Sequence, residues 1–238
     1  MRIEQQLAFV LHARDWRETS LLVEAFSRDH GRMGLVARGV RGARTRTPRS
    51  LLQPLTPLLL SWTGSGELAT LTAAEAAGIP MNAEGEHLLC VLYANELVMR
   101  LLTRHDPHPA LFDDYAQTLA RLAQAQPAAW TLRRFERDLL WHLGYGLELA
   151  SEAESGRAVR PDVEYAWHPQ SGAVPWRDGD SGVRVSGRAL IALAGDTMPG
   201  NADLAALRRM LRAVIAAHLD GGSIRAWSLF AGRGGHQS

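Results

Sequence analysis

Apolar positions in the first eighty residues come in short runs broken by turn residues, and only afterwards do they recur every three or four positions. The short runs predict strands, and the later spacing predicts helices. Gln6 to Ala13 is a run rich in Leu, Phe and Val, and Thr19 to Ser27 alternates Leu21, Val23 and Ala25 with Leu22, Glu24 and Phe26. Asp29-His30-Gly31 predicts a hairpin turn into a third strand, Arg32 to Arg38, because glycine accepts the positive φ that a tight turn requires. Leu52 to Trp62, the turn Thr63-Gly64-Ser65-Gly66 and Glu67 to Ala73 supply a fourth strand, a second hairpin and a fifth strand. Pro54 and Pro57 each lack an amide proton, which predicts an edge or a bulge in the fourth strand. Five strands so close together predict a small closed barrel, since an open sheet would leave two unprotected edges.

From about residue 81 the helical spacing takes over. Glu84 to Arg104 carries Leu88, Leu89, Leu92, Val98, Leu101 and Leu102 nearly all round, the pattern of a buried central helix. Leu111, Tyr115, Leu119 and Leu122 form a stripe on a second helix opened by Pro109, and Trp130 to Leu143 predicts a third, stopped by Gly144 and Gly146. Residues 150–186 lose the period and gather Gly, Ser, Pro and Asp, which predicts an irregular insert with a short hairpin around Tyr165 to Val174. Helices resume over Gly187 to Ala194, Ala202 to Leu219 and Ile224 to Phe230, and the tail 232–238 is expected to be disordered. The expected class is α+β: a five-stranded barrel domain over 1–80, then an all-α helical domain over 81–238 interrupted by the insert.

Charge follows the same division. The 238 residues carry twenty-six basic and twenty-five acidic side chains, so bulk charge alone does not hold the chain on a polyanion. Residues 1–80, however, hold ten arginines against seven acids, whereas 81–238 hold sixteen against eighteen. Every basic residue is arginine; base composition explains the bias, and guanidinium forks grip phosphates well. The single Cys90 cannot form an intramolecular disulfide, and no Cys/His ladder has the spacing of a zinc site. Neither the N-terminus nor Leu88 to Leu102, broken by Asn95, Glu96 and Arg100, has the length of a signal or membrane segment. A cytoplasmic location is expected.

Arg38, Arg41, Arg44, Arg46 and Arg49 stand within twelve residues that contain no acid. Like charges at that density repel, and a polyanion that displaces its counterions relieves the repulsion; a merely solvated loop is the competing reading. Arg14 and Trp16, expected in the first loop, offer a cation and a stacking ring beside it, unless Trp16 belongs to the core. Arg133, Arg134 and Arg137 sit on one turn of the third helix beside Phe135: either a solvated face pairing with Glu136 and Asp138, or a cleft for an acidic, hydrophobic peptide terminus. His105-Asp106-Pro107-His108 lacks further nearby ligands, His142 reads as a core histidine, and without lysine no phosphate loop of the GxxxxGK type exists. No catalytic constellation, cofactor motif or metal site is found, so a binding protein is expected rather than an enzyme.

Ala8-Phe-Val-Leu-His12-Ala-Arg14-Asp-Trp16-Arg-Glu18-Thr19-Ser20-Leu21, with Gly31-Arg32 and Leu35-Val-Ala-Arg38-Gly39, resembles the N-terminal signature of the RecO family of bacterial recombination mediators. Leu52-Gln-Pro-Leu-Thr-Pro-Leu-Leu-Leu60, Tyr93-Ala-Asn-Glu-Leu97, Leu132-Arg-Arg-Phe-Glu136 and Leu143-Gly-Tyr-Gly146 extend the likeness over nearly the whole chain. The resemblance implies an OB-fold barrel followed by a helical domain. It also implies binding of single- and double-stranded DNA, annealing of complementary strands, engagement of the C-terminal tail of single-strand-binding protein, and action with RecR to load RecA at gaps, at the nucleoid. Many members carry four cysteines for zinc in the region of residues 150–180; here there are none, and His168 does not replace them. On this reading Arg14, Trp16, Arg32, Arg38, Arg41, Arg44, Arg46 and Arg49 form the DNA groove, while Arg133, Arg134 and Phe135 receive the partner's tail. A barrel protein that binds RNA, without a role in recombination, is the alternative.

Overall fold

The computed structural model describes residues 2–40, 47–219 and 223–231. Five strands, β1 (Arg2–Trp16), β2 (Ser20–Ser27), β3 (Gly31–Ala37), β4 (Pro57–Thr63) and β5 (Leu68–Ala76), close into a barrel in the order β1-β2-β3-β5-β4. All pairs are antiparallel except β3 with β5, and β1 closes the ring by pairing with both β2 and β4. Alternate positions point inward, and Ala8, Val10, Leu21, Val23, Ala25, Leu35, Leu58 and Leu60 fill the interior. The barrel expected from the sequence is therefore present, with three differences. β1 starts four residues earlier and runs on through Trp16, so Arg14 and Trp16 are strand residues rather than loop residues. β4 starts only at Pro57, where a missing amide proton is tolerated, and Leu52 and Leu55 are buried outside it. Pro54 lies in the preceding turn.

Burial on both faces explains why Ala8–Leu11 of β1 and nearly all of β2 read as continuous apolar runs. Phe9 and Phe26 point away from the barrel interior and pack on Phe112 and Tyr115, with ring centroids 5.3–5.8 Å apart. Those rings belong to α2 (Pro109–Ala123), and α1 (Gly85–Leu101) packs beside it. On α1 the all-round apolar pattern is only partly buried: Cys90, Tyr93, Ala94, Leu97 and Val98 are covered, while Leu88 and Leu92 remain exposed. Gly31, with φ +67°, lets the 103–106 segment close onto β3, since a Cβ there would lie 2.1 Å from the carbonyl oxygen of Asp106.

The chain up to Gln126, together with the segment from Ile224, forms one compact unit, and Pro127–Ser223 forms another. In the first unit, the short α6 (Ala226–Ala231) returns to α1, where the Glu96 carboxylate accepts the backbone N–H groups of Arg225 and Ala226 at 2.7 and 2.9 Å. The second unit holds α3 (Ala128–His142), β6 (Glu164–His168), β7 (Gly172–Pro175), β8 (Val183–Ser186), α4 (Gly187–Ala194) and α5 (Asn201–Ala217). The region is thus not all-α, and the expected irregular insert contains an antiparallel three-stranded sheet in the order β7-β6-β8. β6 and β7 form the expected hairpin, but β8 had no visible signal, because four residues between a Gly-Asp turn and a helix show almost no period. Tyr165, Trp167, Ala173 and Val185 give the sheet its own buried face. Ser186 then caps α4 by accepting the Ala189 N–H at 3.1 Å.

Candidate nucleic-acid interface

One extra residue in β1 decides which side chains reach the surface. The β1–β2 ladder runs in register to Val10 opposite Ala25 and resumes at His12 opposite Glu24, leaving Leu11 as a bulge. Side chains alternate along a strand, so even-numbered residues continuing from Ala8 and Val10 would point into the barrel. After the bulge it is Ala13 that packs on the interior, and Arg14 and Trp16 are turned to the outer face. The bulged residue is buried, and its carbonyl accepts the Asn95 side-chain N–H at 2.9 Å; the Asn95 carbonyl in turn accepts the Tyr115 O–H at 2.7 Å. Burial pushes the Tyr115 hydroxyl far above its ordinary pKa, so it remains a donor.

Trp16 is half-buried and outside the core, which settles its position between the two sequence readings, and the Arg14 guanidinium lies 5.9 Å from the centroid of its ring. Trp16 faces Ser20 across one ladder and Leu21 faces Ala37 across the next, so Arg38 lies at the same end of the barrel. Arg17, in the β1–β2 turn with φ +55°, is exposed there too. Arg17 is not among the residues expected at this surface, although its place beside Trp16 in a three-residue turn is a local signal. Arg49 joins the group through Asp15, 3.0 Å away; both side chains are more than half exposed, and such a screened pair is worth about 0–1 kcal/mol. Arg14, Arg17 and Arg38 have no carboxylate partner among the described residues. Arg41, Arg44 and Arg46 lie outside the described residues; Val40 and Leu52, which flank the stretch, are both buried in the barrel core.

Arg32 does not join them. It stands at the opposite end of β3, six residues from Arg38 and so about 20 Å away along an extended strand. Half-buried, it donates to the Met99 carbonyl, and its neighbour Arg104 pairs with Glu24. Desolvation lowers the Arg32 pKa, and the repulsion of Arg104 adds to that against the attraction of Glu24. Its work is to fasten the end of α1 to the barrel.

On α3 the expected surface fork is closed. Phe135 is buried, and Arg133 is buried beside Glu136, to which it donates at 2.5 Å. Arg134 donates to Asp196 at 2.5 Å, and Arg137 bonds Asp138 at 2.7 Å and the Leu193 carbonyl at 2.6 Å, so both tie α3 to the end of α4. Arg133 and Phe135 are therefore buried inside the unit rather than exposed on the surface of α3. Next to them a cleft of about 530 Å³ is open, lined among others by Arg137, Trp141, Leu147, Leu149 and Ala194, with Trp141 70% exposed. The insert has no cysteine and one histidine, His168 on β6. Among the described residues, no group of three or more His, Cys, Asp or Glu could hold a metal ion, and no helix is long and apolar enough to cross a membrane.

Comparison with known proteins covers both units. Residues 1–80 match the family described as recombination protein O, N terminal, and residues 83–227 match recombination protein O, C terminal. The chain is 50% identical over 221 residues to DNA repair protein RecO of Nitrosococcus oceani, covering 92% of this chain and 89% of that protein. It is 44% identical over 233 residues to DNA repair protein RecO of Xanthomonas campestris, 96% of each chain. The protein of that name from Methylococcus capsulatus is 45% identical over 223 residues, 94% of this chain and 91% of its own.

Proposed function

Since the chain belongs to the RecO family of DNA repair proteins, we propose that it is a recombination mediator whose barrel mouth binds single- and double-stranded DNA and anneals complementary strands. The observation that carries this reading is the gathering of Arg14, Arg17, Arg38 and Arg49 with the half-buried Trp16 at one end of the barrel. Guanidinium groups on an exposed mouth neutralise phosphates and release their counterions, and a tryptophan face accepts any base, so binding is independent of sequence. Two strands brought to one positive surface repel each other less, which lets bases pair. The chemistry required is charge and stacking alone, with no covalent step.

Partners follow from the second unit. The cleft beside Trp141 sets apolar walls and Arg137 among the carboxylates of Asp138, Glu148 and Asp196, and its apolar part suits the hydrophobic end of the acidic tail of single-strand-binding protein. Held there, and acting with RecR, the protein would clear that coat from gaps for RecA, in the cytoplasm at the nucleoid. The direct experiment is annealing of complementary DNA oligonucleotides with and without single-strand-binding protein, using RNA of the same sequence as competitor. Annealing that persists on coated strands and resists the RNA supports the mediator. A preference for RNA overturns it in favour of an RNA-binding barrel.

A further inference from the structure

We propose that Asn95 is a positioning residue for polynucleotide binding: by holding the carbonyl of Leu11 it fixes the bulge that turns Arg14 and Trp16 outward, an inference that rests on reading the barrel mouth as the DNA surface. β4 pairs with β1 only as far as Phe9, opposite Pro57, so the β1–β2 ladder alone sets the register of the stretch that carries Arg14 and Trp16. A slip of one residue there exchanges the inner and outer side chains. In the bulged register a buried carbonyl leaves the ladder, and burial without a donor is unfavourable. Asn95 supplies that donor from outside the sheet.

An amide is required at this place. The Tyr115 O–H occupies the Asn95 oxygen at 2.7 Å, which leaves the side-chain N–H group facing Leu11. Aspartate accepts from the tyrosine but has no N–H for the carbonyl, and leucine does neither. Asn95 is itself 1% exposed and does not reach a bound strand, so its influence passes through β1. α1, a helix outside the barrel, thereby sets which face of the barrel meets DNA.

The test measures full-length Asn95→Leu and Asn95→Asp by anisotropy with labelled oligo-dT across salt concentrations, well below their melting temperatures, next to Arg14→Ala/Trp16→Ala. Loss of one stacked base predicts about tenfold weaker binding, and loss of one phosphate contact flattens the log–log salt slope by about 0.7. Asn95→Leu should reproduce both, and should have no further effect on affinity when added to Arg14→Ala/Trp16→Ala, although it still lowers the melting temperature. Tyr115→Phe, which keeps the amide but frees its orientation, should give a smaller loss of the same kind and serves if the leucine variant does not fold. A lower melting temperature with unchanged affinity and slope, or a full additional loss in the triple variant, overturns the positioning role. If Arg14→Ala/Trp16→Ala itself binds like the parent, the barrel-mouth reading fails instead, and the two failures are distinct.

Discussion

Replacing Arg133 by alanine should destabilise the 127–223 unit far more than a surface change would. The guanidinium and the Glu136 carboxylate are 2.5 Å apart with side-chain exposures of 6% and 1%, so truncation leaves a carboxylate buried beside an empty space. Removing one partner of such a pair costs about 3–5 kcal/mol, whereas replacing both by apolar side chains of similar volume is often neutral or stabilising. For a unit of about a hundred residues, that loss corresponds to a fall in melting temperature of more than about 10 °C. Scanning calorimetry on Arg133→Ala and on Arg133→Met/Glu136→Leu checks it, the double variant being expected to melt within a few degrees of the parent. A single variant that loses less than about 1 kcal/mol would refute the buried-pair reasoning. The outcome also bears on peptide binding: weakened capture of an acidic tail by Arg133→Ala, restored in the double variant, reports unfolding rather than a lost contact.

Other expectations are more local. Gly31→Ala should cost about 3 kcal/mol or more, because a left-handed φ and the Asp106 carbonyl both oppose a Cβ; Gly39→Ala, with the same φ but open space, should cost only about 1, and equal melting temperatures for the two would contradict this. Raised tyrosine pKa values mean that the folded state holds protons the unfolded chain releases near pH 10, so the stability due to buried Tyr115 is complete below that pH and is lost as pH rises above it. Tyr115→Phe should flatten that alkaline limb in urea melts, and an unchanged limb would count against it. Asp15→Asn removes the carboxylate 3.0 Å from Arg49, so affinity for oligo-dT at low salt should rise a few-fold by anisotropy rather than fall.

The barrel was legible because turn glycines and apolar runs are local signals, and the density of arginines over 38–49 is a local signal of the same kind. What stayed hidden depends on contacts between distant positions. Nothing in Leu7 to Ala13 marks Leu11 as the extra residue, since the bulge shows only once β2 is laid alongside and Asn95, eighty-four positions on, meets its carbonyl. Arg32 and Arg38 look equivalent in sequence, yet opposite ends of β3 separate them. Arg133 and Arg134 are neighbours, and the helical turn of about 100° between them sends one into the core and the other to Asp196. Charge shows in sequence; which charges remain available to a partner is settled by packing.

The most direct measurement is the salt dependence of single-strand binding for two variants that each remove two arginines of the barrel unit. Arg14→Ala/Arg38→Ala changes the proposed mouth, and Arg2→Ala/Arg28→Ala changes the opposite end. At about 0.7 per phosphate contact on single strands, the first pair should flatten the log–log slope by about 1.4, while the second leaves it at the parent value. Equal slopes for the two variants would mean that net charge alone attracts DNA, and that the mouth built by the bulge is not where it binds.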